Sequence, residues 1–234
     1  MPQWFETLGE EYWLLPDDVG EEEARFIKKI AHLRAGQRVL DAPCGAVRIA
    51  FHLARWGCEL TGIDLRSKFI ARAKRRFCKH SLPGFFQVLD LRNLDFTNEF
   101  ACIYNWGGSF GYFSDKENLL LLRLFARALK KGGRVVVDQV HREHLLRHFL
   151  PDIKRGEVIV HNHWDAAGQR VVSYRQVAGG SKAQDVSSMR VYTRRQTERL
   201  FERAGLAVEQ VYGWNPAGDF TRSSRRMIVV GRKL

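Results

Sequence analysis

Three short apolar runs near the start of the chain each close on an aspartate: Val39-Leu40-Asp41, Gly62-Ile63-Asp64 and Val88-Leu89-Asp90. Apolar runs of this length, bounded by Gly, Asp or Asn, read as buried strands, and 37–41, 58–64, 85–89, 101–105 and 134–138 all have that form. Between them 21–33, 47–56, 67–79 and 116–131 carry a helical period. Parallel neighbours need a long crossover, so strand and helix in strict alternation predict an α/β fold built on a parallel sheet. All the strand-end acids then lie along one edge of that sheet. End signals agree: Ser114 with Glu117 forms a capping-box pattern, Gly132 after the basic pair Lys130 and Lys131 predicts that the helix stops there, and Thr193 with Gln196, ending at Gly205, repeats the design.

The rhythm changes after Pro151. Segments 157–164, 170–177 and 185–192 alternate or run apolar, with turn residues at 165–168 and 179–181, which predicts an antiparallel β insertion over 151–192. A helix over 193–204 and strands over 206–212 and 227–231 complete the reading. With 234 residues, 45% hydrophobic and 27% charged, the chain suits one domain, 1–234, with a sizeable core. No run approaches the roughly 20 apolar residues that cross a bilayer, and the start lacks the basic and apolar parts of a leader, so the expected setting is the cytoplasm, with no membrane partner. Cys44, Cys58, Cys78 and Cys102 are widely spaced and suggest neither a disulfide framework nor a metal site. The formal charge of +12 could attract a polyanion, but most basic clusters, such as Lys74 to Arg76 or Arg194 and Arg195, fall on helical stretches and read as solvated faces.

The chemistry lies at the strand ends. Val39-Leu40-Asp41-Ala42-Pro43-Cys44-Gly45-Ala46-Val47-Arg48 is a strand turning tightly into a helix, where a ligand meets free backbone N–H groups and where Gly45 allows close approach. Asp64, ending the second strand ahead of Leu65, can accept from both hydroxyls of a ribose. Asp90, followed by Leu91, offers a carboxylate for an exocyclic amine. The fourth strand runs into Asn105-Trp106-Gly107-Gly108-Ser109-Phe110-Gly111-Tyr112-Phe113, a glycine-relieved aromatic loop. Each acid alone is more often a cap or turn former, and three in register reverse that preference. A nicotinamide dinucleotide site lacks its GxGxxG here.

On these residues 38–138 resembles the class I S-adenosylmethionine-dependent methyltransferases, and within them a group of small bacterial and archaeal enzymes with LDxPCGxGR and SFGYF motifs, matched by Leu40 to Gly45 and Ser109 to Phe113. The similarity extends through Leu129-Lys130-Lys131-Gly132-Gly133, Arg190 to Thr193 and Ser224 to Val230. The resemblance implies a Rossmann-like seven-stranded sheet of order 3-2-1-4-5-7-6 with the last strand antiparallel. It implies that Asp41, Cys44 and Gly45 line the methionine part of S-adenosylmethionine, that Asp64 with Leu65 binds the ribose, that Asp90 and the Leu91 backbone hold adenine, and that Asn105 and Trp106 lie under the sulfonium. The third glycine of the usual first motif is Val47 here. Either the backbone has negative φ there and tolerates Val, or binding is weakened, and the intact Asp64 and Asp90 positions favour tolerance.

The expected reaction is in-line displacement at the sulfonium methyl by a nitrogen or oxygen of a small-molecule acceptor. Tyr112, His141 and Arg190 are the acceptor-side catalytic candidates, with Arg142, Trp164 and Trp214 behind them, because they sit at strand ends or on the insertion. The aromatic segment Trp4-Phe5 and Tyr12-Trp13, within 1–19, suits a lid that brings Trp13 over the cofactor, or alternatively packing on the sheet edge. An RNA or protein methyltransferase is the alternative that the charge favours, and a non-catalytic S-adenosylmethionine-binding protein is the one that Val47 suggests. The chain is expected to be a monomer or homodimer.

Overall fold

The computed structural model describes residues 16–177, 185–214 and 218–234. It alternates as the periods require: α1 (Asp17–Ile30), β1 (Arg38–Asp41), α2 (Arg48–Arg55), β2 (Glu59–Asp64), α3 (Ser67–Lys79), β3 (Gly84–Val88), β4 (Phe100–Asn105), α4 (Asp115–Ala128) and β5 (Leu129–Val140). After a short α5 (Arg142–Arg147) come β6 (Asp152–Arg155), β7 (Val158–Asp165), β8 (Arg170–Val177) and β9 (Asp185–Arg190), then α6 (Arg194–Arg203), β10 (Leu206–Gly213) and β11 (Arg226–Lys233). The main sheet has the order β3-β2-β1-β4-β5-β11-β10. This is the expected order, with β11 as the antiparallel last strand between β5 and β10.

Period-2 alternation along each strand divides the core into two layers. Val39, Cys102, Tyr104, Val136, Ile228 and Val230 point to one face and pack with Ala24 and Ile27 of α1, Ile49 and Leu53 of α2, and Ile70 and Phe77 of α3. Leu40, Ile103, Val135, Val137, Met227 and Val229 point to the other, against Leu122 and Phe125 of α4 and Leu200 and Phe201 of α6. Both faces of the sheet are therefore covered, which is why its strands read as continuous apolar runs.

Both predicted capping boxes form: Ser114 with Glu117 opens α4 and Thr193 with Gln196 opens α6. Gly205, at φ +80, follows the end of α6 as expected. The end of α4 differs from expectation. The helix stops at Ala128, and Leu129 is fully buried in the sheet opposite Phe100. Lys130 and Lys131 are therefore the exposed part of a register shift in β5, which Gly132, at φ +76, makes possible. Burial of the Leu129 side chain outweighed helix continuation.

The insertion is a separate four-stranded antiparallel sheet, β6-β7-β8-β9, where three strands were expected. The extra strand, β6, pairs Asp152 with His161 and Arg155 with Val158 across a tight turn that uses Gly156 at φ +62. The sheet is fastened to the loop after β4. Arg190 N–H donates to the Gly111 carbonyl (2.8 Å), and the Arg170 guanidinium donates to the carbonyls of Gly111 (3.2 Å), Tyr112 (3.4 Å) and Phe113 (3.2 Å).

Candidate functional site

The carboxyl ends of β1, β2, β4 and β5 come together at one edge of the main sheet, because the parallel crossovers all run the same way. The loop after β1 is stitched to β2: Cys44 N–H donates to the Ile63 carbonyl (2.8 Å) and Gly45 N–H to Oδ2 of Asp64 (2.9 Å). Gly45 has φ +49, and a Cβ placed on it meets nothing within 4 Å, so bare backbone faces open space there. Val47 corrects the expectation of negative φ. It is left-handed, at φ 58 and ψ 33, immediately before α2. A β-branched residue in that region costs about 1–3 kcal/mol. Its side chain is fully buried in the core layer of Ile49 and Leu53, and burial of a Val, worth roughly 1.5–3 kcal/mol, offsets the strain. Core packing therefore accommodates the left-handed backbone of Val47, and a Cβ placed on Gly45 would still meet nothing within 4 Å.

The two nearest carboxyls differ in their support. Asp64 accepts from Gly45 N–H and, through Oδ1, from Arg66 N–H (2.9 Å). Burial pushes its pKa up, and these backbone donors pull it partly back. Asp41 is more deeply placed: burial pushes it well above the usual carboxylate range, against the lowering influence of Tyr104 and of the Arg48 charge. Burial also raises the Cys44 thiol, with Asp41 and Asp64 adding to the effect, so Cys44 serves as a small apolar wall. Leu91 is buried and Leu65 is 39% exposed. Asp90 caps a single 3₁₀ turn through Arg92 N–H (2.9 Å) and is paired with the Arg92 guanidinium, which holds its carboxyl below the usual range.

The loop after β4 supplies the facing wall. Asn105 is fully buried and its Nδ2 donates to the Ala42 carbonyl (2.7 Å), joining the loops of β1 and β4. Asn105 Oδ1 and the indole Nε1 of the buried Trp106 have no hydrogen-bond partner among the described residues. Orphaned polar atoms at a strand-end cleft are expensive and mark a position where a ligand can satisfy them. Gly107 and Gly108 are left-handed (φ +77 and +72), and both N–H groups donate to Oδ2 of Asp138 (2.8 and 3.1 Å).

Asp138 belongs to an ion network that the sequence reading missed. It is fully buried at the end of β5 and pairs with Arg226 of β11, through Nε at 2.7 Å and also through Nη2. Arg226 lies over the rings of Trp106 (4.7 Å) and Trp214 (5.0 Å) and also reaches the buried Glu23 of α1 at 3.6 Å. Glu23 in turn holds Nε of Arg48 at 2.7 Å. Burial works against the Arg226 charge, yet Asp138 and Glu23 together hold its pKa above normal. The available signal was Asp138 itself, a fourth acid closing an apolar run; its partners are distant in sequence.

The acceptor-side candidates are placed less simply. His141 is buried with both ring nitrogens engaged, Nδ1 with the Ser224 carbonyl (2.7 Å) and Nε2 with Glu143 (2.7 Å), so it clamps α5 to the segment before β11. The expectation that Arg190 is turned towards an acceptor is corrected: its Nη1 donates to the carbonyls of Gln169 (3.2 Å) and Val191 (2.8 Å), and its Nε faces Asp115 (3.2 Å). It secures β9 to the start of α4. Tyr112 lies in the loop that the Arg170 guanidinium grips, half-buried. Trp164 lies under the Arg142 guanidinium at 5.4 Å, and Trp214 packs edge-on against Trp106 and Phe26. Trp13 and most of the expected lid lie outside the described residues.

Residues 39–133 match the family described as a methyltransferase domain. The S-adenosyl-L-methionine-dependent Diels-Alderase iccD of Talaromyces variabilis is 31% identical over 114 residues, covering 47% of this chain and 38% of that protein. The cypemycin N-terminal methyltransferase of a Streptomyces species is 26% identical over 204 residues, 83% of this chain and 82% of that protein. Among solved structures, the CcbJ methyltransferase of Streptomyces caelestis superposes with a TM-score of 0.79 at 19% identity, over 98% of this chain and 94% of that one. The chain spans less than half the length of several curated relatives it matches.

Proposed function

We propose that this chain, whose fold is the Rossmann-like methyltransferase fold and whose residues 39–133 match a methyltransferase domain, transfers a methyl group from S-adenosylmethionine to a nitrogen or oxygen of a small-molecule acceptor. The observation that carries the cofactor reading is the cleft between the loops of β1 and β4. A Cβ on Gly45 or Gly108 would meet nothing within 4 Å, while Asn105 Oδ1 and Trp106 Nε1, buried where β4 ends, have no hydrogen-bond partner among the described residues. These residues fit a nucleoside bearing an amino-acid end. Gly45 and Asp41 would take the amino-acid part, Asp64 the ribose, Asp90 and Leu91 the adenine, and Asn105 and Trp106 the neighbourhood of the sulfonium. Bound there, S-adenosylmethionine supplies an electrophilic methyl group.

Such a displacement disperses an existing positive charge, so the protein contributes chiefly alignment and exclusion of water. Buried Asp138 fixes the Gly107 and Gly108 backbone, and the inserted sheet is bolted over the end of that loop through Gly111. An inserted sheet docked beside the loop after β4 suits a small acceptor held next to that loop. Of the basic residues that an RNA trough would use, Arg226 is committed to the ion network and Arg194 pairs with Glu198, while Arg195, Arg222 and Arg225 are exposed. Tyr112 is the acceptor-side residue retained from the sequence; His141 and Arg190 act here as supports.

Calorimetric titration with S-adenosylmethionine and its demethylated product tests the cofactor, and Asp64→Ala should weaken both at least tenfold while Asp64→Asn is milder. Absence of binding at millimolar concentration would overturn the reading. Because one relative is named for a different cofactor-dependent reaction, methyl transfer itself must be measured, using labelled cofactor with a panel of amines, phenols and carboxylates against bulk RNA. Labelling of RNA alone, falling steeply with salt, would replace the small-molecule acceptor by a nucleic acid.

A further inference from the structure

Arg48 is the first residue of α2, one position past the strained Val47, and stands where the loops of β1 and β4 approach each other. Its Nε is committed to Glu23 (2.7 Å), which fixes the plane of the guanidinium. Among the described residues its two Nη atoms make no hydrogen bond. Nη2 lies 3.7 Å from the position of a Cβ on Gly107, the residue whose side-chain-free backbone borders the cleft. The side chain is partly exposed. Its charge also reaches Asp41 and offsets part of the burial penalty on that carboxyl.

Resting on the cofactor reading above, we propose that Arg48 is the carboxylate-binding residue for the amino-acid end of the cofactor, with its free Nη edge donating to the α-carboxylate. Three features carry the assignment. The guanidinium is preorganised by Glu23, so little side-chain freedom is lost on binding. Its Nη2 lies beside Gly107 of the loop after β4, whereas Asp64 is held by Gly45 of the loop after β1. The guanidinium also makes the floor complementary to a zwitterion, with Asp41 available to the ammonium and Arg48 to the carboxylate. Glu23 and the Arg226 network behind it are then positioning residues for this contact, which explains why a charged group of α1 is buried there.

The test compares S-adenosylhomocysteine with 5′-methylthioadenosine, which has the same nucleoside but lacks the amino-acid end. Arg48→Gln should weaken S-adenosylhomocysteine by about tenfold or more while leaving 5′-methylthioadenosine within about twofold, and Arg48→Lys should recover part of the loss. Equal weakening of both ligands would mean that Arg48 acts only by packing through Glu23, and would overturn the assignment. A second measurement needs no variant: wild-type protein should bind decarboxylated S-adenosylhomocysteine about tenfold or more weakly than S-adenosylhomocysteine itself. Equal affinity would overturn the assignment while leaving the cofactor reading intact, whereas failure of wild type to bind any of the three would overturn the cofactor reading and Arg48 with it.

Discussion

At Val47 and Asp41 the site is built against local preference, and each makes a measurable prediction. Val47 is held left-handed by its buried side chain. Truncation to Ala keeps most of the left-handed penalty and loses two methyl groups of burial, so Val47→Ala should destabilise by about 2 kcal/mol. Val47→Gly loses slightly more burial but releases the strain, so it should cost only about 1 kcal/mol, reversing the usual order of Ala and Gly. Urea denaturation of the two variants checks this, and Ala proving the milder change would show that no strain is stored there. Asp41 has a folded-state pKa raised well above its unfolded value. The folded state therefore holds the proton more tightly, and stability falls as pH rises from the unfolded pKa through the folded one. Asp41→Asn should stabilise the ligand-free protein at neutral pH, with the gain vanishing near pH 4, and should weaken cofactor binding. Thermal melting across that range decides it; a gain that grows on acidification would contradict the sign.

Among the elements, the post-β4 loop and the edge of β9 form the joint that docks the inserted sheet on the main one. Gly111 has φ +107, and a Cβ there would stand 2.3 Å from the Arg190 carbonyl oxygen, backbone that cannot yield without undocking the inserted sheet. Gly108 is also left-handed, yet a Cβ on it meets nothing within 4 Å. Gly111→Ala should therefore destabilise by about 3 kcal/mol and speed amide exchange in β8 and β9, whereas Gly108→Ala should cost only about 1 kcal/mol, the backbone penalty alone. Exchange in β9 unaffected by Gly111→Ala would show that the joint is not what holds the sheet in place.

Across the molecule, the Asp138–Arg226–Glu23–Arg48 network ties β5, β11, α1 and α2 together beneath the cleft. Buried pairs contribute little net stability, but breaking one leaves an uncompensated charge, at about 3–5 kcal/mol. Asp138→Asn should cost about that amount and also loosen Gly107 and Gly108, whose N–H groups it holds. Adding Arg226→Met should restore part of the loss, since the stranded charge goes with it. A double-mutant cycle by chemical denaturation checks this, and strictly additive losses would mean that the two residues act independently.

The sequence by itself determined the parallel α/β architecture, the strand order through its resemblance, the capping of α4 and α6, and the line of acids at strand ends. Those features depend on hydrophobic period and local turn chemistry, which neighbouring residues encode. Tertiary structure decided what those residues then do. Lys130 and Lys131 left the helix because Leu129 gained more from the sheet beside Phe100. Val47 kept a conformation it disfavours because the core receives its side chain. Arg190 and His141, which sit at strand ends as a catalytic group would, were turned inward by Gln169, Asp115 and Ser224. Glu23, Asp138 and Arg226 gain meaning only together, because a buried charge is set by partners that the fold, and not the local sequence, brings within reach.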